Sequence, residues 1–516
     1  MEQTNQQGKP GIVFYTSVII ALLFVFWGVF FTDHLSNLTA DALAFVLEVF
    51  GWFYVLIAVL FVIFIFYLAF SRFGKIRLGK DDDEPEFSKA SWFAMLFSAG
   101  MGIGLVFWGV AEPTFHYLYA PFDIAPSESE ESAKLAFRYT FFHWGLQPWA
   151  IYSLVALALA YFNFRKGEKG LISMIFKPLL GDRVYGPIGN IIDVIAIFAT
   201  IFGVATTLGF GASQISGGLN YLFDIPNTTT TQISVIAIVT VLFMLSAYTG
   251  LKKGIKYLSN TNLVLAALLL LFTFLLGPTL FILNTFTQSI GDYLGNLVQM
   301  SFSLSAIDQH PWVQDWTIFY WAWWIAWAPF VGSFIARVSR GRTIREFVIG
   351  VLLVPTVTCF FWFSVFGGSA IHLDLFQGVD ISTAVDTDMD TALFVTLDQF
   401  PISMVTSLIA ILLVMTFFIT SADSATFVLG MMSSDGSMEP GLRIKFTWGI
   451  LQSAVAAILL LAGGLVALEQ MLITSALPFA IIMVGICISL YKALSQEFTK
   501  EDKGGRRWKR ERRIQS

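Results

Sequence analysis

Apolar stretches of about 20 residues recur along the whole chain, and this feature restricts the fold more than any other. A helix of that length crosses the roughly 30 Å of hydrocarbon in a bilayer. The stretches begin near residues 12, 42, 90, 136, 188, 232, 259, 316, 345, 401, 445 and 472. The sequence therefore predicts an all-α membrane protein with twelve transmembrane helices.

The segments between these stretches are too short to form a soluble domain. Only 13% of the 516 residues are charged, against about a quarter in globular proteins. Cys359 and Cys487 both fall inside predicted helices, so we expect neither a disulfide framework nor a metal cluster. We also expect no enzymatic activity and no nucleic-acid partner.

Basic residues predict the orientation. Twelve spans counted from Lys9 place all but Lys134 and Arg138 of the 31 lysines and arginines on one face. Such an excess marks the cytoplasmic side, so both termini are predicted to be cytoplasmic and the chain to lie in a bacterial inner membrane. The tail at 496–516 is strongly basic. It is either a segment that binds the anionic inner leaflet or only the last topology signal.

Two segments predict interrupted helices. Gly100, Gly102 and Gly104 lie in the third span, where each glycine costs about 1 kcal/mol relative to alanine. They indicate either an unwound helix or close helix packing by small residues. Pro329 predicts a second interruption, in the eighth span. The two breaks match if residues 90–284 and 316–495 are inverted five-helix repeats, which follow a short N-terminus (1–11) and two peripheral helices (12–71).

Aromatic residues cluster in the fourth and eighth spans. Interfacial positions account for Trp27, Trp52, Trp92 and Trp508. They do not account for the dense tryptophans at 321–327, nor for the group around Pro148, where a kink can turn indoles inward. This pattern is typical of either a cage for a methylated ammonium group or an aromatic core.

Ionisable residues are scarce in the predicted spans, where Glu48, His143, Asp193 and Asp423 stand out. We expect no acidic residue inside the aromatic cluster. A zwitterion whose carboxylate meets the glycine backbone therefore fits better than a net cation. In the tenth span, Thr420 and Ser421 lie among apolar residues. Their hydroxyls either bond back to the preceding turn or ligate a hard cation such as sodium.

Four segments resemble the betaine/choline/carnitine transporter (BCCT) family. They are Ser98 to Pro113 (SAGMGIGLVFWGVAEP), His143 to Tyr152, Tyr320 to Glu346 (YWAWWIAWAPFVGSFIARVSRGRTIRE) and Thr420 to Ser424 (TSADS). The resemblance covers nearly the whole chain. It implies the leucine-transporter-like fold, two inverted five-helix units preceded by two extra helices, and a homotrimer.

The resemblance also implies the site residues. The substrate cage would comprise Trp144, Trp149, Tyr152 and Trp324, with Trp327 on the adjoining path and Gly100, Gly102 and Gly104 nearby. One sodium site would comprise Ala99, Met101, Phe417, Thr420 and Ser421. Thr200 matches part of a second sodium site, but Val204 stands where a threonine is expected. The glycine at position 104 resembles the residue that betaine carriers have at this position, where choline carriers tend to have aspartate.

These observations together predict a sodium-coupled symporter that imports glycine betaine for osmoprotection, with sodium as coupling ion and no other cofactor. A proton-coupled choline or carnitine carrier of the same fold is the first alternative. A channel or receptor is the second.

Overall fold

The computed structural model describes residues 8–100, 102–249 and 254–515, with side chains over 8–96, 102–248 and 257–498. Every regular element in these ranges is helical, apart from isolated bridges at Gly8 to Pro440 and Arg77 to Thr343. The α-helices are α1 (Ile12–Phe30), α2 (Thr32–Phe70), α3 (Lys89–Gly100), α4 (Ile103–Leu118), α5 (Glu130–Trp144), α6 (Leu146–Ala160), α7 (Lys177–Leu180), α8 (Pro187–Phe223), α9 (Thr229–Thr249), α10 (Gly254–Leu276), α11 (Thr279–Ser301), α12 (Phe319–Val338), α13 (Ile344–Gln377), α14 (Ile381–Thr387), α15 (Ala392–Asp398), α16 (Ser403–Ser433) and α17 (Leu442–Gln515). Two π-helical segments, Tyr161–Arg165 and Val313–Ile318, continue α6 and precede α12. The predicted all-α class is confirmed.

Ten helical segments of the described chain are long and apolar enough to cross a membrane. The third predicted span is divided between α3 and α4, of 12 and 16 residues. The last two predicted spans lie in α17, which Gly463 and Gly464 interrupt. Gly464 has a φ of 65°, a backbone conformation that favours glycine. The membrane-spanning architecture agrees with the sequence, and the count of twelve helices stays a prediction.

The predicted break in the third span is present. Helix α3 ends at Gly100, and Gly102 is extended (φ −147°, ψ −164°) before α4 begins at Ile103. The first backbone N–H groups of α4 therefore have no partner within the helix. Met101 lies outside the described residues, as do the side-chain contacts of Ala99.

The predicted break at Pro329 is wrong, because α12 runs through this proline from Phe319 to Val338. Packing explains the difference. A Cβ on Gly332 would lie 2.9 Å from Val155 Cγ1, so α12 and α6 touch closely just beyond the proline. In the segment Val313–Val338, 89% of the most apolar window is buried, against 22% for α1. A helix enclosed in this way keeps its course even though proline removes one hydrogen bond.

The fourth predicted span bends at Gly145 rather than at Pro148. Gly145 (φ −92°, ψ −133°) separates α5 from α6. A Cβ there would lie 2.5 Å from the carbonyl oxygen of Phe141, so only glycine fits. Pro148 lies in the first turn of α6, where its missing N–H breaks no helical bond. The bend leaves Trp144 at the end of α5 and Tyr152 on α6.

Helix α11 was not predicted. It follows α10 after Gly277 and Pro278, so the predicted end of the first repeat at residue 284 falls inside it. Arg138 on α5 holds α11 through two hydrogen bonds to the Asp292 carboxylate, at 2.6 and 2.8 Å. The assignment of two inverted repeats stays a prediction.

Candidate functional site

A cavity lies where the break between α3 and α4 faces α6, α8 and α12. It has a volume of about 20 Å³. Its lining residues are Gly102, Gly104, Leu105, Trp144, Tyr152, Thr207, Trp323, Trp324 and Trp327. Five of these nine are aromatic, so the cavity is walled mainly by rings.

The rings around the cavity pack at defined angles. The ring centroids of Trp144 and Trp324 are 4.9 Å apart with planes at 74°, and Tyr152 meets Trp324 at 6.0 Å and 81°. Trp323 stacks on Trp324 at 5.3 Å with planes 4° apart. Edge-to-face contacts of this kind hold the rings at a fixed mutual angle. They form a semi-enclosed aromatic wall, the geometry that attracts cations to ring faces.

Each indole N–H of this wall has an acceptor. The donors and acceptors are Trp144 with Glu112 Oε2 (2.7 Å), Trp323 with Thr207 Oγ1 (3.1 Å), Trp324 with the carbonyl of His143 (3.1 Å) and Trp327 with the carbonyl of Gly203 (2.9 Å). These bonds come from α4, α5 and α8. The rings are therefore held by neighbouring helices and not by packing alone.

Glu112 overturns the expectation that the aromatic cluster holds no acidic residue. Its carboxylate on α4 is fully buried. Oε2 also accepts a hydrogen bond from the Tyr320 hydroxyl at 2.5 Å, and Oε1 lies 2.7 Å from Nδ1 of His143. The sequence did carry a signal for this residue, because Glu112 is the one acidic residue in the apolar sequence of α4.

The predicted hydroxyl region of α16 adjoins the same broken helix. Ser421 Oγ lies 4.0 Å from the point where a Cβ on Gly102 would stand. The Thr420 hydroxyl donates to the carbonyls of Thr416 and Phe417, at 3.0 and 3.1 Å. It also accepts a hydrogen bond from Asn262 Nδ2 on α10, at 3.0 Å. Thr420 thus bonds back to its own helix, while Ser421 faces the break.

Comparison with known proteins assigns the chain to a family. The sequence profile described as "BCCT, betaine/carnitine/choline family transporter" matches residues 12–499. The chain belongs to the BCCT family. It is therefore a membrane transporter and not an enzyme, and the resemblance inferred from the four sequence segments is confirmed.

Several BCCT relatives are similar over nearly their whole length. The "Glycine betaine transporter OpuD" of Bacillus subtilis is 57% identical over 490 residues, which cover 94% of each chain. The "Probable glycine betaine transporter" of Desulfitobacterium hafniense is 49% identical, with 95% of this chain and 98% of the relative covered. The "Ectoine/hydroxyectoine transporter" of Virgibacillus pantothenticus is 44% identical, with the same coverage.

The structure brings most of the predicted substrate residues of this BCCT transporter together. Trp144, Tyr152, Trp324, Trp327, Gly102 and Gly104 all line the cavity. Trp149 is buried but is not among the lining residues, and it packs edge-on against Tyr152 at 5.7 Å. Trp323 and Thr207 line the cavity although the family pattern did not assign them. The side-chain surroundings of Gly100 lie outside the described residues.

Gly104 of the BCCT motif is required for space. A Cβ at this position would lie 2.6 Å from Cη2 of Trp323 and 3.5 Å from Cη2 of Trp144. Side-chain atoms almost never approach this closely. A larger residue would therefore have to displace a ring of the cavity wall, in addition to any charge that it introduced.

Of the remaining predicted sodium residues, Phe417 lies beside Thr420 on α16, and Thr200 lies on a different helix, α8. Phe417 is buried on α16, and Met101 lies outside the described residues. Thr200 lies on α8, where its hydroxyl donates to the carbonyl of Ala196 at 2.8 Å. Val204, one turn further, offers no side-chain oxygen. The structure therefore places Ser421 against the broken helix, while the hydroxyls of Thr420 and Thr200 each bond back to their own helices.

Trp92 is fully buried in the protein, and its Nε1 donates to Ser339 Oγ at 3.0 Å. Its position at the level of the membrane interface stays a prediction. The Arg342 guanidinium lies 4.6 Å from its ring centroid. Trp92 thus fastens α3 to the end of α12.

Proposed function

We propose that this transporter imports glycine betaine together with sodium ions. The observation that carries the proposal is the aromatic cavity at the break between α3 and α4. Ring faces of Trp144, Tyr152 and Trp324 suit a trimethylammonium group, since each cation–π contact contributes about 0.5–2 kcal/mol. The substrates named for the two most identical relatives described above support the same ligand.

The start of α4 suits the other end of a zwitterion. The N–H groups of Ile103 and Gly104 have no backbone acceptor among the described residues, and together with the positive end of the helix dipole they attract a carboxylate. Gly102 and Gly104 leave the backbone accessible from the cavity. Betaine would therefore lie with its methyl groups against the rings and its carboxylate against the broken helix.

Sodium is proposed to bind between α16 and the break. Ser421 Oγ faces Gly102, and Thr420 lies beside it on α16. Oxygen ligands suit a hard cation. An ion held there and a substrate held on α4 would both stabilise the same arrangement of the broken helix. Coupling requires this shared preference for one conformation.

We extend the proposal to topology and setting. The pair α3/α4 counts as one span and α17 as two, which gives twelve helices with both termini in the cytoplasm of a bacterial cell. The inverted five-helix repeats, the homotrimer, the contact of the basic tail with anionic lipids, and a role in osmoprotection follow from the family resemblance and belong to the same proposal.

Transport in proteoliposomes tests this function. We expect saturable uptake of labelled betaine that follows an inward sodium gradient and is lost when potassium replaces sodium at the same membrane potential. Choline, carnitine and ectoine serve as competitors. Uptake that follows a proton gradient without sodium would instead establish the proton-coupled carrier. Flux that does not saturate with substrate would establish a channel.

A further inference from the structure

The Glu112 carboxylate lies directly behind the wall of the cavity. Trp144 separates the two, because its Nε1 is 2.7 Å from Glu112 Oε2. Cη2, at the other end of the same indole, is 3.5 Å from the point where a Cβ on Gly104 would stand. A single indole therefore lies between the carboxylate and the lining of the cavity.

The hydrogen bonds around Glu112 suit the ionised form. Oε2 accepts from Trp144 and Tyr320, and an indole N–H can only donate. Oε1 accepts from His143 when the proton is on Nδ1, and Nε2 of the same ring then accepts from Thr317 Oγ1 at 3.0 Å. A carboxylate that accepts three bonds satisfies every one of these donors.

Little positive charge faces this carboxylate. Among the described residues, its ion-pair partners are the imidazoles of His143 and His116, whose Nε2 lies 3.7 Å from Oε1. No described lysine or arginine pairs with it. Both ring nitrogens of His116 are buried without a hydrogen-bond partner among the described residues. A fixed guanidinium or ammonium group therefore does not cancel the charge of Glu112.

We propose that Glu112 determines the preference of the cavity for a positively charged headgroup. Its negative charge acts on the trimethylammonium group through Trp144, and its hydrogen bonds hold Trp144 and Tyr320 in position. A ring face attracts a cation through its quadrupole. Donation of the indole N–H to an anion polarises the ring further in the same sense. The proposal rests on the proposed function, because it assumes an ammonium substrate in this cavity.

A pair of ligands that differ only in charge tests the proposal. Betaine and 3,3-dimethylbutanoate have the same shape, but the second has a neutral carbon in place of the ammonium nitrogen. Binding of both to the purified full-length protein is measured at saturating sodium. In Glu112→Gln we expect betaine to bind about tenfold more weakly, as for the loss of one charge roughly 10 Å away at an effective dielectric constant of about 20. The isostere, which has a neutral headgroup and a net charge of −1 from its carboxylate, should bind equally well or better.

Tyr320→Phe is the matched control, because it removes one donor of the same carboxylate and leaves the charge. It should change both affinities by the same factor and leave their ratio unaltered. An unaltered ratio in Glu112→Gln would overturn the proposal and leave Glu112 as a packing residue. If Glu112→Gln does not fold, Glu112→Asp can be used instead, because it keeps the charge but moves it away from the cavity by the length of one methylene group. The ratio of betaine affinity to isostere affinity should then fall about 1.5-fold, and an unchanged ratio would have the same negative meaning.

Binding measurements on the parent protein distinguish a failure of the proposed function from a failure of the proposed role of Glu112. If it binds betaine and the ratio is unchanged in the variants, only the role of Glu112 is wrong. If it binds neither betaine nor the isostere, the proposed function fails, and the role of Glu112 fails with it.

Discussion

The aromatic cavity and the hydroxyl region of α16 both adjoin Gly102, yet they use their polar atoms in opposite ways. Around the cavity, all four indole N–H groups have acceptors. Around α16, buried oxygens are left over: Asn262 Oδ1 and Asp423 Oδ1 have no hydrogen-bond partner among the described residues. Asn262 reaches Thr420 through its amide nitrogen, so its free oxygen lies on the same side chain that contacts the proposed ion region.

This difference matches the two kinds of cation. A trimethylammonium group has no hydrogen to donate, so it is recognised by ring faces that must be held still. These rings are held in place because each indole N–H already has an acceptor. Sodium is a hard cation that needs oxygen lone pairs in place of water. Such a site needs oxygens that the fold has not already occupied.

The largest expected effect separates two neighbouring tryptophans of α12. Trp324 lines the cavity, whereas Trp321 is buried against Phe142 at 5.1 Å and 71°. We expect Trp324→Leu to raise the KM for betaine at least tenfold, since the loss of a desolvated ring costs about 2 kcal/mol. Trp321→Leu should lower stability with little change in KM. Equal KM values in the two variants would mean that the wall is ordinary packing.

The second expected effect concerns the ion. Thr420→Ala combined with Ser421→Ala removes two oxygens and leaves the cavity intact. We expect the sodium concentration for half-maximal uptake to rise about tenfold, or about 1.4 kcal/mol, with betaine affinity almost unchanged at saturating sodium. Thr426→Ala is the control, because its hydroxyl on the same helix contacts Gln452 instead. Coincident sodium activation curves for parent and double variant would exclude these hydroxyls as ligands.

A third, smaller effect concerns Gly104. It separates the steric effect of a side chain at this position from the effect of a charge. Gly104→Ala should raise the KM for betaine about fivefold, because overpacking by one methyl group costs roughly 1 kcal/mol and Trp323 must move. Adding Trp323→Phe should restore part of the affinity. For the same reason, we expect Gly104→Asp to admit choline only when Trp323 is also shortened. Efficient choline uptake by Gly104→Asp without a change at Trp323 would show that the charge at position 104 alone determines whether choline is transported.

The smallest effect is expected far from both regions. Ending the chain after Phe498 removes the basic tail but keeps Glu497, which binds Lys166 at 2.7 Å and the Tyr161 hydroxyl at 2.7 Å. Betaine KM and sodium activation should stay within about twofold of the parent, while the dependence of uptake on osmolality flattens if the tail senses the anionic leaflet. An unaltered osmotic profile would leave the tail as a topology signal.

Features set by local sequence could be predicted. Long apolar stretches form helices in lipid because a helix is the only conformation in which a single segment forms all its backbone hydrogen bonds internally. The Gly100 to Gly104 break was predictable because three glycines weaken one level of a helix whatever surrounds it. The membership of Trp144, Tyr152 and Trp324 in one site came from family resemblance, since they lie on three different helices.

Features set by contacts between distant segments could not be predicted. Pro329 has the local signature of a break, but α12 continues through it, and Val155 of α6 packs closely against Gly332 of α12. Trp149 is buried beside Tyr152 and does not line the cavity. Trp323 lines it because Thr207 on α8 accepts its indole N–H and the small Gly104 leaves space for its ring.

The sequence by itself determined an all-helical membrane chain of the BCCT family with an interrupted third span, because periodicity, glycine content and motifs are properties of short segments. The tertiary structure decided which rings face the cavity and that Glu112 stands behind them. The partners of Glu112 come from α5 and α12, 31 to 208 positions along the chain. A buried carboxylate is tolerated only where several donors converge on it, and that convergence exists only once the helices have packed.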